Sequence, residues 1–188
     1  MDSTTKDRIL LESLSLFAKH GYDSIGVSEI VKRCGVTKPT LYYYFESKEN
    51  LLKCIVAHFS EELRQLVQEA SESQASLAER LGMAADRYLR FSSGNPDFIR
   101  LYLSLVFTPH ENRAYGIAKA EAEQIQTVVE SLFEADDGFR EQKRLFAASF
   151  IGQMNMFAAL ILNGYTHYVP ELAITIVTMF LNGAGSIL

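Results

Sequence analysis

The chain has 188 residues, 48% of them hydrophobic and 22% charged, and carries a net charge of −5. That length and balance suit one or two small folded domains and exclude a disordered or low-complexity chain. Two cysteines, Cys34 and Cys54, and four scattered histidines give neither a disulfide framework nor zinc-type ligand spacing, so free thiols in a reducing cytoplasm and no bound metal or cofactor are expected.

The first residues, Met1-Asp2-Ser3-Thr4-Thr5-Lys6, lack an apolar signal core and run straight into a helix. A stripe of Ile9, Leu10, Leu14, Phe17 and Ala18 predicts that helix, and Gly21 stops it. Val27, Ile30, Val31 and Cys34 predict a second, opened at Gly26 with Glu29 three residues on and ended by Gly35. Thr37 caps a third over 38–44, with Pro39 in its first turn, where the early backbone N–H groups have no intrahelical partner. Ser47 caps a fourth that runs through Leu51, Leu52, Ile55, Phe59, Leu63 and Leu66 to about Ala70. After the small polar connector 71–76, helices are expected over about 77–93, 97–107, 112–134 and 139–163, with a turn at Asp136-Asp137-Gly138. The last begins near Glu171, after Pro170, and runs to the C-terminus. The sequence has no strand-period segment and no internal repeat, so the fold should be all-α, with about nine helices.

Two stretches, 145–162 and 172–188, are nearly uncharged and approach the roughly 20 residues that span a bilayer. Gln153 and Asn155 interrupt the first, Asn182, Gly183 and Gly185 loosen the second, and neither has a flanking basic cluster. Helices apolar on nearly all sides are also what lies between a core and a partner subunit, which is the reading adopted here in place of a membrane span.

The third helix is barely two turns long, so neighbours must hold it and its exposed residues are free for other work. It carries Thr40, three consecutive tyrosines at 42–44, and lysines on either side. Such a helix suits a polyanion, DNA first. The acidic net charge is no objection, because residues 32–53 hold five basic against two acidic side chains and the acidity lies elsewhere. A local basic stripe is what phosphates sense within a Debye length of roughly 8 Å.

The combination of three short N-terminal helices, the Gly35-Val36 turn, Leu41-Tyr42, Tyr44-Phe45, Ser47-Lys48 and Leu51-Leu52, together with Phe17, Gly21-Tyr22 and Ile30, resembles the TetR family of bacterial transcriptional regulators. The likeness is close over about 9–52 and only architectural beyond. It implies a helix-turn-helix domain over 1–46 and an effector-binding and dimerisation domain over 47–188, connected by the fourth helix. It also implies a homodimer, most simply through helices 8 and 9, that reads a palindromic operator on double-stranded DNA and is released by a small molecule.

Under that resemblance Thr37, Lys38, Pro39 and Thr40 open the recognition helix nearest the base edges. Lys38 has the reach for guanine O6/N7, and Thr40 suits a thymine methyl or a base acceptor. Tyr42 and Tyr43 are expected on phosphates, Tyr44 at the groove or its rim, and Lys48 corresponds to the family's phosphate-binding lysine. Ser28, in the first turn of the second helix, adds a backbone contact aided by the helix dipole. The family usually has Thr or Ser just before that helix, where this chain has Ile25-Gly26, which leaves backbone N–H groups in place of a side-chain clamp. Leu41 and Phe45 are expected in the core.

For the effector, Tyr88, Phe91, Phe98, Tyr102, Phe107, Met154 and Phe157 offer an apolar lining, and His110, Asn155 and Gln153 offer polar groups to orient a ligand. An apolar or aromatic effector would suit them, although the same side chains also make an ordinary bundle core. Two other functions compete. One is an all-α carrier or enzyme without DNA binding, but the sequence offers no nucleophile–base set or phosphate loop and no enzyme is expected. The other is a DNA-binding dimer controlled by a protein partner.

Overall fold

A computed structural model describes residues 5–184; Met1–Thr4 and the run of the last helix beyond Ala184 lie outside the described residues. The described residues form ten α-helices: α1 (Thr5–His20), α2 (Val27–Cys34), α3 (Lys38–Phe45), α4 (Lys48–Ser71), α5 (Leu77–Gly94), α6 (Pro96–Val106), α7 (Arg113–Ser131), α8 (Asp137–Arg140), α9 (Lys143–Leu162) and α10 (Pro170–Ala184). No strand occurs among the described residues. The helices gather into two compact units. One comprises the residues up to Phe59 together with Asp97–Glu121, and the other comprises Ser60–Pro96 together with the residues from Ala122 onward.

In the first unit, α1 ends where Gly21 takes φ 82° and its N–H reaches the Phe17 carbonyl at 2.9 Å. Helix α2 ends in a Schellman motif. Gly35 at φ 62° donates to the Lys32 carbonyl, and Val36 donates to the Val31 carbonyl at 3.0 Å. Only a residue without a Cβ adopts that conformation freely, so Gly35 is what lets α3 start three residues later, at Lys38. Ile9, Phe17, Ile30, Leu41, Phe45, Leu51, Leu52 and Ile55 are fully or almost fully buried and form the core under these helices. The α6 residues Phe98 and Tyr102 extend it, with Phe98 stacked on Phe59 at 5.0 Å.

In the second unit α5 opens with a complete capping box. The Ser76 hydroxyl accepts from the Glu79 N–H, and the Glu79 carboxylate accepts from the Ser76 N–H at 2.9 Å. Arg80 is buried and donates to the carbonyls of Ala75 (2.8 Å) and Leu132 (2.9 Å), placing its charge at the carbonyl end of α7. Arg87 joins α5 to the second half of α4 through the Leu66 carbonyl at 2.8 Å and Glu69 at 3.1 Å. Helices α9 and α10 both pack on α5.

The structure corrects the expected single helix over 139–163. The chain forms a one-turn α8 and then a separate α9, which makes ten helices rather than nine. Asp136 accepts from the Gly138 N–H at 3.1 Å, while Gln142 sits at φ −111°, ψ 18° and breaks the helical path. The break turns Phe139 inward, against Phe133 at 5.9 Å and Phe146 at 4.8 Å. Burying that ring outweighs a run of favourable helical dihedrals.

Helix α9 is long and apolar enough to cross a membrane by length and composition, with a mean hydropathy of 1.8. Its Phe146, Ala147, Phe150, Met154 and Ala158 are buried in the second unit. The opposite face, Leu145, Ala148, Ser149, Gly152 and Met156, is exposed and uncharged. On α10 the same division separates buried Ala173, Ile176, Val177 and Phe180 from exposed Ile174 and Met179.

Candidate nucleic-acid interface

The α2–turn–α3 segment holds the residues expected from the sequence to meet DNA. Thr37 is extended (φ −96°, ψ 160°), and its hydroxyl accepts from the Thr40 N–H at 3.3 Å, so it caps α3. The Thr37 and Thr40 hydroxyls also pair with each other at 2.8 Å. This pairing holds both side chains at the opening of the helix. Lys38 and Pro39 are exposed beside them.

Helical periodicity then sorts the remaining residues. Leu41 and Phe45, four apart, are both fully buried. Tyr43 lies opposite them and is 82% exposed, while Tyr42 (45%) and Tyr44 (36%) occupy the two flanks. The Tyr43 and Tyr44 rings meet edge to face at 5.1 Å, which restricts both side chains before any ligand arrives. Helix α3 ends at Glu46, whose φ of 62° is the one positive value at a non-glycine among the described residues. That conformation is strained for a residue with a Cβ, and it sets the sharp corner into α4. The next helix starts with the Ser47 hydroxyl accepting from the Asn50 N–H at 3.0 Å.

Lys48 is held more firmly than the sequence suggests. Its ammonium donates to the Tyr22 carbonyl at 2.6 Å and lies 4.1 Å from the centre of the Tyr22 ring. Partial burial lowers its pKa, against the opposing field of Asp23. An ammonium has three donors, so the contact with Tyr22 leaves two for another acceptor. The same contact ties the start of α4 to the turn after α1. Ser28 is exposed at the second position of α2, and Gly26, extended at φ −89°, supplies no side-chain cap to the N–H groups that open that helix.

A neighbouring junction has no sequence signal at all. Asn112 caps α7 by accepting from the Ala114 N–H at 2.8 Å, and its amide donates to Asp23 at 2.7 Å. One side chain thus bonds the start of α7 to the turn between α1 and α2. Tyr22 could have been suspected from the Gly21-Tyr22 pair, but Asn112 lies 89 residues from its partner.

The effector candidates fall into two groups. In the second unit Tyr88, Phe91 and Met154 are buried and Phe157 is half-buried. The Tyr88 hydroxyl donates to Asn155 at 2.6 Å, and burial pushes its pKa up. The carbonyl oxygen of Gln153 is buried without a hydrogen-bond partner among the described residues. In the first unit Phe98 and Tyr102 are buried and stack at 5.6 Å, while His110 is exposed and edge-on to Tyr115 at 4.6 Å. Cys34 is buried and Cys54 half-buried, both as free thiols. Among the described residues no group of three His, Cys, Asp or Glu side chains is placed to hold a metal ion.

Two short helices joined by a glycine turn, the second capped, buried along one edge and exposed along the other, define a helix-turn-helix DNA-binding module. Residues 9–55 match the family of bacterial regulatory proteins designated tetR. That match is confined to the N-terminal helices, whose likeness is to the TetR family of transcriptional regulators. It is 27% identical over 101 residues to the HTH-type regulator YdgC of Bacillus subtilis, and that match spans about half the length of each chain (52% and 52%). Against IcaR of Staphylococcus aureus, the negative regulator of the biofilm operon icaADBC, it is 25% identical over 146 residues, covering 74% of this chain and 72% of IcaR. Its fold is similar to that of Bacillus subtilis FadR solved with stearoyl-CoA, with a TM-score of 0.78 at 17% identity, covering 94% and 97% of the two chains.

Proposed function

We propose that the protein is a cytoplasmic transcriptional repressor, not an enzyme, that binds a palindromic operator as a homodimer and is released by a small-molecule effector. The observation that carries this reading is the division of α3 into a buried edge, Leu41 and Phe45, and an outer edge of exposed Thr37, Lys38, Pro39 and the three tyrosines, with Thr40 half-buried among them. In this reading Lys38 and Thr40 contact base edges, Tyr42 and Tyr43 bind phosphates, and Tyr44 lies at the rim of the groove. Lys48 and the N-terminal backbone of α2 at Ser28 add phosphate contacts.

A recognition helix this short binds tightly only when two act together, spaced about 34–36 Å apart to enter successive major grooves. The uncharged outward faces of α9 and α10 are suited to an isologous dimer contact. For the effector, the buried acceptor on Gln153 and the Tyr88–Asn155 pair offer polar anchoring among aromatic and thioether side chains. An apolar or aromatic molecule suits that lining, and the acyl-CoA held by FadR shows that a related fold takes a ligand with a long apolar part. Release requires a coupling of roughly 1–3 kcal/mol, about a 5- to 150-fold change in operator affinity. The Asn112–Asp23 bond supplies a direct link from α7 to the DNA-reading module.

The test is a binding selection with purified protein at moderate salt. The expected product is an inverted repeat whose half-sites lie about one helical turn apart, and recovery of no symmetric site would refute the proposal. Replacing Lys48 by alanine should weaken binding to all sequences alike and make the salt dependence shallower by about one unit. It should also lower the melting temperature, because the Tyr22 contact is lost with the phosphate contact. A changed sequence preference in this variant would contradict the role given to Lys48.

A further inference from the structure

A groove of about 460 Å³ runs between α4 and α7 inside the first unit. Its floor is made of Ala57, Gly116 and Ala120, all exposed and all small, with half-buried Ile117 along one side. A Cβ built on Gly116 meets nothing within 4 Å, so the space is open down to the helix backbone. Surface helices usually cover such positions with longer side chains, and here no side chain among the described residues fills the floor.

The charges sit at one end. Glu49 is shared by two cations on its separate oxygens, Lys53 at 3.2 Å and Arg113 at 3.9 Å. That end therefore carries one positive charge in excess, and the Arg113 side chain is 89% exposed at a loose pairing distance. A second carboxylate entering there would convert that loose pair into a charge-assisted, fork-shaped contact. The lining residues recur once per turn over eight residues on each helix, which makes the groove about 12 Å long at 1.5 Å per residue. Glu121 stands at the far end and disfavours a second anionic group there.

We propose that this groove is a binding site for a small amphipathic monocarboxylate, with its carboxylate between Lys53 and Arg113 and its apolar body over Ala57, Gly116 and Ala120. A simple inorganic anion would leave the apolar floor unused, and an amine would meet two cations. The site needs neither DNA nor the effector residues of the second unit, so it stands apart from the function proposed above.

The probe is 4-phenylbutyrate, titrated calorimetrically into the full chain without DNA, with 4-phenylbutan-1-ol and 4-phenylbutylamine as head-group controls. The carboxylate should bind saturably, and the alcohol and amine roughly tenfold or more weaker, the discrimination expected of a charge-assisted contact. Arg113→Ala should weaken the carboxylate by a similar factor. Ala57→Leu should abolish binding by filling the floor, with Gly116→Leu as the second filling variant and thermal melts showing that both fold. The proposal is overturned if the carboxylate does not saturate, if the alcohol binds equally well, or if either folded filling variant binds as the wild type does. Because each readout is made without DNA, failure to find an operator would leave these outcomes intact.

Discussion

Replacing Phe45 with alanine should destabilise the DNA-reading module by about 3–5 kcal/mol, the range for removing a buried aromatic ring. Phe45 is fully buried at the last residue of α3, immediately before the strained corner at Glu46. Leu41, one turn earlier, is the other buried anchor on the same edge. A helix of eight residues has little stability of its own, so its position depends on these two side chains. Since whole domains are stable by only about 5–15 kcal/mol, the loss should abolish operator binding as well as lower the unfolding midpoint. Tyr43→Phe is the contrasting change. It removes one exposed hydroxyl, should alter stability by less than about 0.5 kcal/mol, and should weaken DNA binding without unfolding. Urea unfolding of both variants checks this. A Phe45→Ala midpoint equal to that of the wild type would mean that α3 is not anchored as described.

Replacing Met156 with glutamate should convert the proposed dimer to monomers. Met156 is 61% exposed on the uncharged face of α9, beside Gly152 and Ser149, so the charge is tolerated within one subunit. In an isologous contact each substitution enters twice, and an unpaired buried charge costs about 3–5 kcal/mol. The dimer dissociation constant should therefore rise at least about a hundredfold, since 1.4 kcal/mol is a factor of ten. Operator affinity should fall with it, because one recognition helix alone contacts a single half-site. Sedimentation analysis at several concentrations gives the answer. A variant that remains dimeric at low concentration would remove α9 from the interface.

The parts of the fold written in local chemistry were legible in the sequence. Thr37 and Pro39 at the start of α3, Gly21 and Gly35 at the ends of α1 and α2, and Ser47 before α4 act through neighbours within a turn, and each stands where the sequence placed it. The separation of Leu41 and Phe45 from the tyrosines also follows from helical periodicity alone. The break between α8 and α9 was not legible, because helix-forming residues continue through it and the deciding term is the burial of Phe139 against Phe133 and Phe146. The setting of Lys48 was half legible. Its identity suggested a phosphate, while its bond to the Tyr22 carbonyl depends on the path of the intervening chain. The Asn112–Asp23 bond was invisible for the same reason, as was the packing of α6 and the start of α7 with the N-terminal helices in one unit. Tertiary contacts between distant segments leave no periodic trace.

The central claim is that the exposed edge of α3 reads base sequence. The most direct measurement is the binding selection repeated with Lys38→Ala and Thr40→Ala beside the wild type. Each variant should yield the same symmetric site with preference relaxed at one or two base pairs per half-site, a loss of about 1–3 kcal/mol of discrimination at those positions. Selected sites identical to those of the wild type, with affinity reduced equally on every sequence, would show that these residues touch only the backbone and would contradict the account.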